Sequence, residues 1–495
     1  MLDLSRIEEL RHADVPPARQ LIDGAFVPAS DGGEMEVISP LDGRRLTMMA
    51  RGTQADATAA VAAARRSFDD GRWAGLAPAA RKAVMLKWAD LIEANALELA
   101  VLGVRDNGTE IGMALKAEPM SAAQTIRYYA EAIDKLYGEI APTAPGALGL
   151  VHREPVGVVG AIVPWNFPLM IGAWKLGPAL AAGCSVVLKP AETASLSLLR
   201  IAELGMEAGL PPGVLNVVTG EGAVVGAAIA ESIDVDVLVF TGSGPTGRRL
   251  LEASARSNMK RVYLELGGKS PNIVFADAPD LGEAVKVSAN GIFRNAGQVC
   301  VAGSRLLVER SIHDDFVARL AEFTAGMKVG DPLDPATAAG AVNSLRQLKQ
   351  NLGFVEEARA AGRKIVTGGA RMLEETGGYF MQPTIVTGVE PTDRLAREEV
   401  FGPVLAVIPF DTEEEAVAIA NGTDYGLAAA VWTSNLGRAH RMIRQVRAGV
   451  VHVNTYGGSD MTVPLGGVKQ SGNGHDKSLH AFDKYLDLKT AWIKL

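Results

Sequence analysis

The chain has 495 residues, 48% of them hydrophobic, with 54 Gly, 25 Pro and a formal net charge of −8. That length supports two or three domains around a large core, and the composition suits a Gly-rich α/β enzyme rather than a disordered or coiled-coil protein. The negative charge and the lack of a long Lys/Arg run argue against a nucleic-acid surface, and its two cysteines cannot build a disulfide framework.

The opening stretch to Glu9 is acidic and lacks the apolar core of a secretory signal. With so few cysteines, a reducing compartment, the cytoplasm, is expected. A short opening hairpin leads into helices. Thr53-Gln54-Ala55-Asp56 reads as a capping box ahead of an Ala-rich run to Phe68. Val84, Leu86, Trp88, Leu91 and Ile92 fall near helical spacing and predict a second helix over 78–102. The uncharged 19 residues 156–174 approach transmembrane length. Pro164, Asn166 and Pro168 interrupt them and Lys175 follows, so strands or a strand and loop are expected instead of a membrane span.

From 156 to 266 short β-rich runs alternate with helical segments. Strands are predicted at 156–163, 185–189, 214–219, 235–241 and 261–266, with helices at 195–208 and 247–257 between them. This alternation implies a mostly parallel sheet with its ligand crevice beyond the strands' carboxyl ends. A second α/β block runs from 270 to 465, where Thr412 caps a helix after a strand over 404–410. The seven histidines form no H-x-x-x-H or Cys/His cluster, so a metal site has no support.

Four local features carry chemistry. Cys300 closes Asn295-Ala296-Gly297-Gln298-Val299-Cys300, an uncharged turn that suits a nucleophile, although most free cysteines are inert packing, the role expected for Cys184. Gly242-Ser243-Gly244-Pro245-Thr246-Gly247 joins a strand to a helix, where backbone N–H groups can hold a pyrophosphate. Glu265 stands near the offset for a ribose-binding acid, but Lys189 and Glu192, at the end of an earlier strand, are better placed. Between leucines, Glu265 is either exposed or a buried general base with a raised pKa. Asn166, bracketed by Pro164 and Pro168, offers a stiff amide for an oxyanion or is a structural turn.

Together these motifs resemble the NAD(P)-dependent aldehyde dehydrogenases over essentially the whole chain. Leu264-Glu265-Leu266-Gly267-Gly268-Lys269, Gly297-Gln298-Val299-Cys300 and Glu399-Val400-Phe401-Gly402-Pro403 are the specific signatures. The resemblance implies an α/β fold with a Rossmann-like cofactor domain (1–136 and 156–267), an α/β catalytic domain (268–467) and a small β oligomerisation extension (137–155 and 480–495). It implies Cys300 as nucleophile, Glu265 as base for hydrolysis, Asn166 as oxyanion donor and Lys175 as a further catalytic residue. For NAD, with NADP possible, it implies Val163, Pro164, Trp165, Lys189, Glu192, Gly222, Phe240, Thr241, Gly242, Ser243, Leu266, Gly267, Glu399 and Phe401. Members more often have Thr at Gly244 and Gln at Ala296. Assembly as a homodimer or a dimer-of-dimers homotetramer follows from the same resemblance.

Within the family, Tyr129-Ala130-Glu131-Ala132-Ile133-Asp134-Lys135, Asp460-Met461-Thr462-Val463-Pro464 and Asp476-Lys477-Ser478-Leu479-His480 are similar to γ-glutamyl-γ-aminobutyraldehyde dehydrogenases of polyamine catabolism. Phe167, Met170 and Trp174, with Val299 and Val301, are expected to line an apolar channel. Glu118 and Asp460 are expected at its mouth, facing a distal ammonium or guanidinium, or else are solvated charges. Relatives often have Asp at Glu118 and Arg at His475. A broad-specificity, betaine or aliphatic aldehyde dehydrogenase is the alternative. A CoA-acylating enzyme is disfavoured by Glu265, and an inactive homologue by the intact set of Cys300, Glu265, Asn166 and Lys189.

Overall fold

The computed structural model describes residues 3–458 and 460–495. Its first sheet has a parallel centre ordered Leu215–Val217, Ser185–Lys189, Val158–Ile162, Val237–Thr241 and Arg261–Glu265. In chain order these strands are third, second, first, fourth and fifth. The winding therefore reverses between Val158–Ile162 and Val237–Thr241, opening a crevice beyond their carboxyl ends. Both strands are buried at every position, as parallel strands covered on two faces must be. Side chains alternate between those faces. Val159, Ala161, Val237 and Val239 pack with helices Pro78–Ala94, Ser121–Ala132, Pro168–Ala182 and Leu196–Ala208. Val158, Ile162, Leu238 and Phe240 pack on the other side with Gln54–Asp69 and Gly244–Arg256. Antiparallel strands close the edges: the hairpin Gln20–Ile22 and Ala25–Val27 on one side, Gly472–Asn473 on the other.

The second sheet runs Lys364–Thr367, Thr384–Thr387, Val404–Phe410, Arg305–Glu309, Pro271–Val274, Ala428–Trp432 and Val450–Val453, parallel except for the first. A third sheet pairs Leu486–Lys494 with Ala147–Pro155 along nine residues and adds Glu139–Ala141.

Local chemistry explains most of the boundaries. Thr53 and Asp56 form the expected reciprocal capping box for Gln54–Asp69. Helix Pro168–Ala182 starts with Pro at its first position and ends at Gly183, whose φ of 105° suits only glycine comfortably. Three expectations are corrected. The helix over 78–102 is two helices, Pro78–Ala94 and Ala96–Asn107, because Asn95 leaves helical geometry and donates its side-chain amide to the Leu91 carbonyl. The opening hairpin follows a helix, Leu4–His12, capped by Asp3, and precedes a second hairpin, Glu34–Ile38 with Arg45–Ala50. The run 156–174 divides into a strand, a turn and the start of a 15-residue helix. Among the described residues no helix is long and apolar enough to cross a membrane.

Candidate active site

Cys300 sits at the end of a loop with an unusual backbone. Asn295, Ala296 and Gly297 have φ values of 50°, 49° and 72°, three consecutive left-handed residues. Such a run is costly and persists only where surrounding bonds over-determine it. Glu110, fully buried, accepts from the Asn295 N–H at 3.1 Å, and the Thr109 hydroxyl donates to the Asn295 amide oxygen at 2.8 Å. Gln298 donates to the Asn295 carbonyl at 3.0 Å and accepts from the Asn343 N–H at 2.8 Å. A Cβ on Gly297 would lie 2.2 Å from the Gly402 carbonyl oxygen. The cysteine loop and the Glu399–Pro403 segment therefore pack backbone to backbone, which physically links two of the sequence signatures.

Cys300 itself is half-buried. Burial, then the charges of Glu399 and Glu265, push its thiol up to about 12. The Asn166 amide nitrogen donates to the Gln298 carbonyl at 2.9 Å, which leaves its second hydrogen uncommitted to that bond.

Two spaces meet at this cysteine. One, of ≈ 580 Å³, lies at the winding reversal and is lined by Cys300, Asn166, Pro164, Trp165, Thr241, Gly242, Ser243, Leu266, Gly267, Glu399 and Phe401. The start of helix Gly244–Arg256 borders it. Beside Gly244 a Cβ would meet nothing within 4 Å, so the more usual Thr would fit there. Trp165 and Phe401 stack edge to face at 5.2 Å. The Glu399 carboxylate accepts from the Gly268 N–H at 2.9 Å, and a Cβ on Gly267 would lie 2.0 Å from it. Burial raises Glu399 to about 7. Lys189, Glu192 and Gly222 form a separate group. Lys189 pairs with Glu192 at 3.0 Å, and Glu192 accepts from the Gly222 N–H at 2.5 Å. Val163 and Phe240 do not line the cleft; both are core residues beneath it.

The second space, of ≈ 630 Å³, is lined by Cys300 with Phe167, Met170, Trp174, Val299, Val301 and Asp460, all expected from the sequence. Tyr128, Glu131, His452, Met461 and Lys477 also line it and were not anticipated; Glu131, Met461 and Lys477 fall in stretches that carry the subfamily resemblance, while Tyr128 and His452 fall in none. The Trp174 indole N–H is buried with no acceptor. Asp460 is exposed, and bonds from the Thr462 N–H and hydroxyl hold its carboxyl below the usual range. Glu118 departs from expectation. It is buried away from the mouth and accepts from the Leu169 and Met170 N–H groups at 2.6 and 3.1 Å, capping helix Pro168–Ala182 from outside.

Glu265 ends the strand Arg261–Glu265 and is buried; its Oε1 has no partner. It lines neither space but stands in the wall between them and the C-terminal segment. Burial and then Asp476 raise it well above the usual carboxyl range, opposed by Lys175 and Lys484. Lys175 also lines neither space. It is bonded to Asp476, so it acts on the site only through another residue.

A family profile described as "Aldehyde dehydrogenase family" matches residues 26–491. The chain belongs to the aldehyde dehydrogenase family. It is 51% identical to the NADP/NAD-dependent aldehyde dehydrogenase PuuC of Escherichia coli (strain K12), over 96% of each protein. Among solved structures, a cysteine-to-alanine mutant of the P. syringae indole-3-acetaldehyde dehydrogenase AldA, in complex with NAD+ and IAA, shares 53% identity and superposes with a TM-score of 0.98 over 100% of both chains. The γ-glutamyl-γ-aminobutyraldehyde dehydrogenase of Burkholderia cenocepacia J2315 shares 51% identity, with a TM-score of 0.97 over 100% of both chains. The fold of this chain thus agrees with that of the aldehyde dehydrogenase family.

Proposed function

We propose that this aldehyde dehydrogenase oxidises an aldehyde whose far end carries an ammonium or guanidinium group, of the γ-glutamyl-γ-aminobutyraldehyde or 4-guanidinobutyraldehyde kind, to the carboxylic acid, with NAD(P)+ as oxidant. The observation that carries the reading is that Cys300 borders both a cofactor-sized cleft and a substrate-sized cavity.

The Cys300 thiol gives up its proton to solvent water and, as thiolate, adds to the aldehyde carbon, while the carbonyl electron pair moves onto oxygen. The Asn166 amide and the Cys300 N–H hold that oxygen, each donor worth about 3 kcal/mol at the transition state. What the nicotinamide group supplies when bound is the acceptor for the aldehyde hydride. Loss of that hydride leaves an acyl thioester on Cys300. Glu265, turned from its place in the wall, takes a proton from water, whose oxygen adds to the thioester. The C–S bond then breaks, releasing the acid and the thiolate.

The cleft suits a dinucleotide on this chain's own features. It lies at the winding reversal, a helix N-terminus faces it, and the buried Thr241 hydroxyl has no partner. Ser243 and the following helix start serve the pyrophosphate, Lys189 and Glu192 the adenine ribose, and Glu399 the nicotinamide ribose. The Glu192 carboxylate accepts from a 2′-hydroxyl and repels a 2′-phosphate, which favours NAD.

In the cavity, Phe167, Met170 and Trp174 cover a methylene chain, and Asp460 with Glu131 meets the distal cation. The unpaired Trp174 N–H and the aromatic wall also suit an aryl aldehyde such as the one named for AldA. Cytoplasmic location, a homodimer or homotetramer built through the third sheet, and one domain per large sheet complete the proposal. The deciding experiment is kcat/KM across ω-amino, guanidino, betaine, aliphatic and indolic aldehydes, with NAD and NADP and without CoA. Highest kcat/KM for amino or guanidino aldehydes supports the reading; a preference for propanal or the indolic aldehyde overturns its substrate half.

A further inference from the structure

Behind Glu265 lies a cluster of charges that the reaction above does not use. Asp476 is fully buried, and its two carboxylate oxygens are divided between two lysines. Oδ2 accepts from Lys175 and Oδ1 from Lys484, each lysine at most 3% exposed. Lys175 comes from helix Pro168–Ala182, and Lys484 ends the short 3-10 helix Leu479–Lys484. Asp476 is fixed by a backbone bridge to Leu465, its N–H donating at 2.7 Å and its carbonyl accepting at 2.8 Å. Gly466, the next residue, lies against Glu265: a Cβ there would be 3.3 Å from the unpartnered Glu265 Oε1 and 2.8 Å from the exposed His475 ring. The Lys484 stem packs beside Gly474 and its ammonium over the Tyr485 ring at 5.5 Å, so the charge is held in place.

Counting charges shows what the second lysine does. Asp476 and Lys175 alone sum to zero, and ionising Glu265 beside them would leave one uncompensated buried negative charge. With Lys484 the resting cluster is +1, and ionised Glu265 brings it to neutrality. Buried charge is tolerated where it is balanced. We infer that Lys484 is a positioning residue for the hydrolytic step, acting through Asp476 to supply the positive charge that balances ionised Glu265. This rests on the reading of Glu265 as the base. The other titratable groups facing Glu265 are His475 and Cys300, neither of which supplies a fixed positive charge from within the wall.

The test uses the full-length enzyme and follows the rate at which the acyl-enzyme, formed in the hydride burst, releases acid between about pH 5.5 and 9. Lys484→Gln keeps a hydrogen bond to Asp476 and removes only the charge. It is expected to retain the burst, to slow acid release several-fold at neutral pH, and to move the acid limb of the release profile up by about one pH unit. Lys484→Arg is expected to return the limb to its original place. Should the Gln variant not fold, Lys484→Met is read instead. A limb that stays put in a folded, charge-free variant overturns the inference, even if its Tm falls. Glu265→Gln separates the two readings: if that variant still releases acid with an unchanged limb, the base assignment fails, and Lys484 falls with it. If Glu265→Gln stalls while the charge-free variant keeps the original limb, only the Lys484 inference fails.

Discussion

At the scale of single residues, the proposed division of labour between Cys300 and Glu265 makes an asymmetric expectation. Hydride loss needs the thiol and the oxyanion donors, whereas release of the acid needs a base. Glu265→Gln should therefore produce about one reduced cofactor per active site and then stall, seen as a burst of nicotinamide absorbance followed by a nearly flat trace. Steady turnover at the wild-type rate would remove Glu265 as the base. Asp460 tests the other end of the substrate. It stays ionised because Thr462 bonds to it, and it lines the cavity that Cys300 closes. Asp460→Asn should raise KM for 4-aminobutanal about threefold to fivefold, the order of one exposed charge pair, while KM for propanal hardly moves. Equal shifts for the two aldehydes would show that no ion pair forms.

At the scale of elements, strands fully buried on both faces were the most legible. Ser185–Lys189 and Val404–Phe410 fall where continuous apolar runs in the sequence place them, and the capping box locates helix Gln54–Asp69. The signature motifs likewise pointed to Cys300, Asn166 and Glu265 as candidates, of which Cys300 and Asn166 line the cleft. What stayed hidden depends on contacts distant in sequence: the break at Asn95, the strand Gly472–Asn473 that returns to the first sheet, and Asp476 with Lys484, which meet Glu265 only after folding. Glu118 belongs with them. Sequence places it at the cavity mouth, but a π-turn over Lys116–Met120 carrying Pro119 turns it inward beneath the start of the next helix. Burial raises its carboxyl to about 8, so it is protonated in the folded chain at neutral pH. An acid raised on folding contributes stability that is complete below its ordinary pKa and gone once pH passes the folded value. Glu118→Gln should flatten that dependence: the wild-type Tm falls relative to the variant between about pH 5 and 8, followed by thermal melts. KM for amino aldehydes should stay within about twofold. A several-fold rise would return Glu118 to the substrate site.

For the whole molecule, the exposed apolar side chains are unevenly distributed. Ile140, Leu488, Trp492 and Ile493 are 75%, 67%, 67% and 43% exposed, and all lie on the third sheet. Leu488 and Trp492, four residues apart on one strand, share a face. Their nine-residue strand, Leu486–Lys494, is an outer one, so every second residue turns unpaired backbone groups to its free edge. A long apolar edge in a lone chain is an aggregation hazard, and natural proteins pair or cover such edges. A second copy of this chain, as proposed above, would do both. Replacing Leu488 and Trp492 together by Lys should place like charges across that contact. Light scattering behind size exclusion should then show a fall from a multiple of 52.0 kDa towards a smaller assembly. An unchanged mass in the double variant, or a wild-type chain already monomeric, would remove the third sheet as the contact. None of the residues lining the two spaces at Cys300 lies on this sheet. The smaller species should therefore keep its burst of reduced cofactor, which separates lost assembly from lost folding.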